Sequence, residues 1–238
     1  NINFIDNHIL QISPKEKFEP NTKYTITVDV KSLFPDVEKK YKTFRFEVTT
    51  LPLQGRGKFL SITPQKQDDN LYDLDFLWVS ADNETPADAE KLVSFSENVE
   101  VEWTHDISGK KHQAKIKGVP AQTSAKEFSY KLNTKQNDGN ETGSITIPAK
   151  DKMCVINAKG SENEKNCVLI SFSKYLNTKQ DLKGLVYSDS ETNDRIQVSG
   201  NIVKLYFQEN DNKKSIKINV NKGIKSTNNL ELENSDSF

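Results

Sequence analysis

The stretch NLYDLDFLWV, residues 70–79, alternates between apolar and polar side chains over its central part. Successive side chains of a β-strand point to opposite faces, so every second position shares one face. The apolar positions on that face are Tyr72, Leu74, Phe76 and Trp78. An alternation of this kind predicts an antiparallel strand with one face on a core and the other in water.

The same alternation recurs along most of the chain, with turn-forming segments between the strands. The further alternating stretches are KYTITVDV (23–30), TFRFEVTT (43–50), NVEVEW (98–103), GSITIP (143–148) and SIKINV (215–220). Among the turn segments are SPKEKFEPNT, ISGKK, QNDGNETG and ENDNKK, which are rich in residues that favour turns. We therefore predict an all-β chain of tandem antiparallel β-sandwiches.

At most one short helix is expected, in the segment ETPADAEKLVSF, residues 84–95. Thr85 can cap its N-terminus, Pro86 suits the first helical position, and Asp88 lies in the first turn. The positions that face the interior at helical spacing are Ala89, Leu92 and Val93.

Two breaks in the strand pattern predict three segments. The breaks are TTLPLQGRGKF, residues 49–59, and NAKGSENEKN, residues 157–166, and each follows a strong strand pattern. The predicted segments are 1–53, 54–160 and 161–238, and the outer two are short for a sandwich domain of about 100 residues. The outer segments also resemble each other. In the first segment HILQIS is followed by a polar turn and YTITV, and in the third IVKLYF is followed by a polar turn and SIKINV. This similarity predicts two matched hairpins.

Length and composition limit the classes of function. The chain has 238 residues, 28% of them charged, with 33 basic residues against 34 acidic ones and a net charge of −1. This balance argues against a nucleic-acid partner. No run approaches the roughly 18 apolar residues that cross a bilayer, so we expect no membrane contact by this segment. Since the first residue is Asn1, we expect a processed or excised piece of a longer protein.

The residues capable of catalysis or metal binding form no recognisable motif. His8, His105 and His112 are interpreted as surface or loop histidines, because no further metal ligands accompany them. Asp73 and Asp75 could act as a glycosidase pair, but the alternation favours the polar face of a strand. We therefore predict that the chain is not an enzyme and has no catalytic, cofactor-binding or metal-binding residues.

Trp78 and Trp103 each continue an apolar stripe, which favours a role as core anchors. If they were exposed instead, their indole rings would form a platform on which sugars stack.

Cys154 and Cys167 allow two interpretations. In a cytosolic chain they would be buried thiols, whereas in an exported chain they could form a disulfide. Closing a loop of that size would stabilise the fold by roughly 3 kcal/mol. Their spacing suits no zinc site, because no second pair of ligands accompanies them.

Three strand patterns together resemble one known arrangement of domains. Residues 12–52, ISPKEKFEPNTKYTITVDVKSLFPDVEKKYKTFRFEVTTLP, resemble the latter half of a bacterial Ig-like module, which closes on an F.F.TT strand. The stretches VLISFSKYLNTKQDLKGLVYSDS, QVSGNIVKLYF and SIKINVNKGIKSTNNLEL resemble the first part of that module. The part between them, from YDLDFLWVSADNETPADAEKLVSFS to SITIPAKDKMCVINA, is similar to a macroglobulin-type, fibronectin III-like sandwich. This order resembles the N-terminal region of large alpha-2-macroglobulin family proteins of the Bacteroidetes type.

The resemblance implies a non-catalytic structural segment of a large bacterial protease inhibitor of the cell envelope. The full-length protein would be exported, periplasmic or on the cell surface, and lipid-anchored. Its partners would be neighbouring domains of the same chain and the proteases that the full-length protein targets. Neither CVIN at Cys154 nor CVLI at Cys167 matches the C-x-E-Q thioester motif, so trapping chemistry would lie outside this chain. The alternative is a cell-surface carbohydrate-binding or adhesin module.

Two arrangements of the outer segments remain open. In one, the chain is cut from a longer array, so that residues 1–53 lack the front of a module and residues 161–238 lack its back. In the other, the two segments form a single sandwich into which residues 54–160 are inserted. The second arrangement requires Val48 and Phe172 to lie close together.

Overall fold

The structure is a computed structural model that describes residues 2–5, 9–133, 141–189, 194–207 and 215–238. Every pair of neighbouring strands in its sheets is antiparallel, which confirms the all-β prediction. His8 and the predicted turn ENDNKK lie outside the described residues, as does most of the turn QNDGNETG.

The middle segment folds as a sandwich of two sheets. Its strands are β5 (Gly55–Pro64), β6 (Leu71–Ser80), β7 (Val93–Phe95), β8 (Glu100–His105), β9 (Lys111–Pro120), β10 (Lys126–Leu132) and β11 (Glu141–Ile147). One sheet has the strand order β5-β6-β9-β8, and the other has the order β11-β10-β7. The alternating stretch that forms β6 therefore lies in the interior of the larger sheet.

The apolar face of β6 is the centre of the middle core. Tyr72, Leu74, Phe76 and Trp78 are all fully buried, as the alternation predicts. The ring of Phe76 contacts three further rings, whose centroids lie 4.8 to 5.5 Å away. These rings belong to Phe59, Phe95 and Tyr130. Because they come from β5, β7 and β10, Phe76 joins the two sheets of the sandwich.

Tyr130 closes one corner of this sandwich. A Cβ atom at Gly57 or at Gly143 would lie 2.6 Å from the Tyr130 ring, so the close approach requires glycine at both positions. The Tyr130 hydroxyl donates a hydrogen bond to the carbonyl of Gly57 at 2.5 Å. Burial raises the pKa of Tyr130 to about 12, so the hydroxyl remains a donor.

The predicted helix forms where its capping signals place it. Helix α2 (Pro86–Leu92) begins after Thr85, whose hydroxyl accepts a hydrogen bond from the backbone N–H of Asp88. Ala89 is fully buried, and the next apolar side chain of the helix, Leu92, packs against the core. The sequence did not predict α1 (Val30–Leu33) or the 3-10 turn Lys39–Tyr41, because a single turn carries no apolar periodicity.

A second sandwich follows. Its strands are β12 (Val155–Gly160), β13 (Cys167–Phe172), β14 (Val186–Ser188), β15 (Arg195–Ser199), β16 (Ile202–Tyr206), β17 (Ile218–Val220) and β18 (Asp236–Ser237). The sheets have the orders β12-β13-β16-β15 and β14-β17-β18, and their core includes the buried Ile170, Phe172 and Val203. Strand β12, which the predicted boundary at residue 160 leaves in the middle segment, pairs with β13 instead.

The first segment consists of two hairpins with little burial. The strands are β1 (Ile2–Phe4), β2 (Leu10–Ile12), β3 (Lys23–Asp29) and β4 (Thr43–Thr49). Strand β1 pairs with β2 and β3 pairs with β4. Of the residues before Leu53 whose burial is described, none is buried. Among the described residues, none of these four strands pairs with a strand of the second sandwich.

The two matched hairpins predicted from HILQIS–YTITV and IVKLYF–SIKINV do not form. Strands β2 and β3 belong to different sheets, and so do β16 and β17. A polar turn of this length suits a crossover between sheets as well as a hairpin, so the spacing alone does not distinguish them.

Cys154 and Cys167 both have free thiols in the structure, so the possible disulfide between them is not formed. Ser173 N donates to Cys154 O at one end of the β12–β13 hairpin, and Ser161 N donates to Cys167 O at the other. At about 3.3 Å per residue, the cysteines are separated by roughly 20 Å along the strands. A disulfide requires Cα atoms within about 7 Å, so this register keeps the cysteines apart.

We predict two reactive thiols per chain in unfolded, unreduced protein, measured with a chromogenic thiol reagent. In the folded protein the reaction should be slow, because burial raises the pKa of both thiols. A Cys167→Ser variant should give one thiol. Fewer than two thiols in the unfolded parent chain would contradict the register described above.

Candidate functional site

The two sandwiches meet at a buried lysine. Lys174 follows β13, and its side chain is fully buried against the turn that precedes β6. The ammonium group donates to the carbonyl oxygen of Asp69 at 2.9 Å and to Oδ1 of Asn70 at 2.9 Å. It also lies 3.4 Å from Oδ1 of Asp69, so a charged donor faces a carboxylate with little solvent around them.

Two further hydrogen bonds cross the same junction. The hydroxyl of Tyr72, in the core of the first sandwich, donates to the carbonyl oxygen of Ser173 at 2.8 Å. Burial raises the pKa of Tyr72, so its hydroxyl keeps its proton. Asn228, from the far end of the chain, donates through Nδ2 to Oδ2 of Asp69 at 3.3 Å. The junction therefore ties β6, β13 and the C-terminal region to one turn.

His105 and His112 lie in strands and not in a loop, which corrects the sequence interpretation. They face each other across the β8–β9 hairpin, with their Nδ1 atoms 2.9 Å apart. His112 is fully buried and stacks on Trp78 at a centroid distance of 4.7 Å. The sequence could have indicated this pairing, because the two histidines flank the turn DISGKK and an antiparallel hairpin places the residues that flank its turn opposite each other.

The hydrogen bonds of the pair assign its protons. Nε2 of His112 lies 3.1 Å from the carbonyl oxygen of Gly109, so this nitrogen carries a proton. Nδ1 of His112 is then the acceptor for an N–H of His105, whose Nε2 lies 3.2 Å from Oε1 of Glu90. Burial, followed by the neighbouring His105, lowers the pKa of His112.

The paired carboxylates of β6 lie on its polar face, as the alternation predicts. Asp73 accepts hydrogen bonds from Gln65 Nε2 at 2.7 Å and from the backbone N–H of Gly118 at 3.1 Å. Asp75 accepts from the hydroxyl of Ser61 at 2.5 Å. Each carboxylate is therefore held by neutral neighbours of its own, and neither is directed towards a shared acid–base site.

The tryptophans behave as core residues. Trp78 is fully buried, and Trp103 is partly buried and packs against the same core. The Trp103 ring stacks on His105 at a centroid distance of 5.9 Å. Neither ring forms an open, exposed platform for sugars.

Within the described ranges, no cluster of three or more His, Cys, Asp or Glu side chains is arranged to hold a metal ion. The described part of the chain contains no helix long and apolar enough to cross a membrane. No protein-family model, curated protein or solved structure matches the chain.

The sequence did not indicate the Lys174 junction. Lys174 follows an apolar strand in the string FSKYL, and a lysine after a strand is usually exposed. Its burial depends on a turn about a hundred residues earlier in the chain, so no local pattern could reveal it.

We predict that Lys174→Met lowers the free energy of unfolding by roughly 3–5 kcal/mol, because it leaves the Asp69 carboxylate without its cation at a buried position. Adding Asp69→Asn should recover a large part of this loss. Urea unfolding monitored by circular dichroism measures both effects. Lys117→Met, which removes an exposed pair with Glu102, is the matched control and should change little. Equal losses for the two lysine variants would contradict the assigned role of Lys174.

We predict that the free energy of unfolding falls as the pH drops from 7.5 to 5. The pKa of His112 in the folded protein lies below its ordinary value of 6.5, so the unfolded chain takes up this proton first. The contribution of neutral His112 to the free energy of unfolding is therefore complete above pH 6.5, and it is lost as the pH falls from 6.5 towards the pKa of His112 in the folded protein. Urea midpoints at both pH values give the loss. This loss of stability between pH 7.5 and 5 should be smaller in the His112→Phe variant. An unchanged pH dependence in that variant would contradict the assignment of the loss to His112.

Proposed function

We propose that this chain is a non-catalytic structural segment of a large bacterial protease inhibitor of the cell envelope, of the alpha-2-macroglobulin type. The observation that carries the proposal is the buried junction at Lys174, which fixes two β-sandwiches relative to each other. The order of the three strand patterns supports the same reading, because it resembles the N-terminal region of that family.

The junction suits an architectural role. Three hydrogen-bonding groups of the second sandwich, from Ser173, Lys174 and Asn228, all reach residues 69–72 of the first. Such a joint resists bending, because any rotation would separate the buried ammonium group from Asp69 and Asn70 without replacing its hydrogen bonds. Stacked sandwiches with a stiff joint can hold a frame around a part of the protein that is cleaved.

The remaining chemistry agrees with a segment that does not catalyse. The carboxylates of β6 are held by neutral partners, and the thiols of Cys154 and Cys167 have raised pKa values because they are buried. In this proposal the segment requires no cofactor, its partners are the neighbouring domains, and proteases are the targets of the full-length protein. That protein would be exported, and lipid-anchored in the periplasm or on the cell surface.

The alternative of a carbohydrate-binding or adhesin module is less well supported. It requires an exposed aromatic platform, whereas Trp78 is fully buried and Trp103 packs on His105. Acidic side chains beside a platform would also be expected to bond sugar hydroxyls, and Asp73 already bonds Gln65 and Gly118.

The proposal predicts that the full-length protein protects large substrates from a protease. After incubation with trypsin or elastase, cleavage of a large protein substrate should fall strongly, while cleavage of a small chromogenic peptide should persist. The same chain carrying Lys174→Met should protect less well, because its frame is looser. A matched Lys117→Met chain should protect normally.

Equal cleavage of large and small substrates in the presence of the full-length protein would overturn the proposal. So would hydrolysis of any protein or sugar substrate by residues 1–238 alone, because the segment would then have a catalytic role.

A further inference from the structure

A long apolar groove lies between the two sandwiches. Its volume is about 790 Å³, and its walls come from β5, β11 and the start of β12. The apolar residues that line it include Phe59, Ile62, Ile145, Pro148, Val155 and Ile156. A second depression of about 620 Å³ shares Leu60 and Ser61 with the groove and reaches Lys159 near the end of β12. The two depressions together follow β12 along its length.

Edge strands border this groove. Strands β5, β11 and β12 each end their sheet in the described part of the chain. The hydrogen bonds at the two ends of β12 show which of its backbone groups face β13, since Ser161 N donates to Cys167 O and Ser173 N donates to Cys154 O. Because such bonds alternate along an antiparallel strand, the N–H and C=O groups of Ala158 and Gly160 point away from β13. No strand among the described residues pairs with that edge.

We propose that the outer edge of β12 binds an extended segment of a partner polypeptide, which adds a fifth strand to the sheet β12-β13-β16-β15. Alternate apolar side chains of the segment enter the groove, and its backbone pairs with Ala158 and Gly160. This mode of recognition uses the backbone for affinity and the pockets for specificity.

The shape of the site favours a peptide over a small molecule. The edge begins after the β-bridge between Met153 and Leu232, and β12 itself, Val155–Gly160, runs about 17 Å at roughly 3.3 Å per residue, which fits an extended segment. A compact apolar ligand would fill the groove but leave the outward backbone groups of β12 unpaired. Among the described residues that line the groove, Lys152 is the one with a charged side chain, so the segment should carry an acidic residue near that end.

The test uses a phage-displayed library of random peptides of about nine residues, selected against residues 1–238. Enriched peptides should alternate apolar residues and carry an acidic residue at one end. A fluorescein-labelled synthetic copy of the most enriched peptide then gives the affinity by fluorescence polarisation. On binding, the amides of Ala158 and Gly160 should become protected from hydrogen exchange, a readout that requires no substitution.

Two proline variants of the same sheet provide a matched comparison. Ala158→Pro removes an N–H that points away from β13 and leaves the β12–β13 hydrogen bonds intact, so affinity should fall roughly tenfold or more. Val198→Pro removes an outward N–H from β15, the opposite edge of that sheet, and should leave affinity within about twofold. Lys152→Glu should weaken binding and shift the selection from acidic to basic residues.

Several outcomes would overturn the proposal. These are a selection that enriches no peptide, equal loss of affinity in the two proline variants, and binding without protection of Ala158 and Gly160. Self-association of the chain that Ala158→Pro abolishes in analytical ultracentrifugation would also overturn it, because the edge would then belong to a second copy.

Discussion

The ammonium group of Lys174 is buried between two β-sandwiches, and the geometry of the junction depends on it. An unpaired cation at such a position is strongly unfavourable, so the turn at Asp69 and Asn70 must supply oxygens at the right distances. That requirement fixes where β13 ends relative to where β6 begins. The hydrogen bond from Tyr72 to Ser173 extends the same constraint into the core of the first sandwich.

Burial is distributed unevenly around this joint. The middle sandwich is closed at the corner where Tyr130 packs on Gly57 and Gly143, and it opens where β5 and β11 border the groove. The β3–β4 hairpin of the first segment keeps its apolar face only half-buried, and Phe44 is exposed. A sheet face that is apolar but not covered favours contact with another surface. The proposed role among neighbouring domains would make use of such a face.

Strand alternation predicted the elements whose environment is set locally. Each apolar residue of β6 became buried because a strand places alternate side chains on one face, whatever packs against that face. Helix α2 begins after Thr85 because the cap and Pro86 act within one turn. The interpretation of His105 and His112 as loop histidines was wrong, and the possible disulfide is not formed, for one shared reason. The register of a hairpin can bring two residues that are near in sequence together or hold them apart. The β8–β9 hairpin places His105 opposite His112, whereas the β12–β13 hairpin keeps Cys154 and Cys167 at opposite ends.

The sequence by itself determined the all-β class, the buried faces of the strands and the position of the helix, because these follow from periodicity and capping over a few residues. Only the tertiary structure decided that Lys174 is a buried joint, that β12 belongs to the second sandwich and that its outer edge borders a groove. Each of these depends on groups from distant parts of the chain. The free energy of burying a charge or leaving an edge unpaired is set by neighbours that no local pattern specifies.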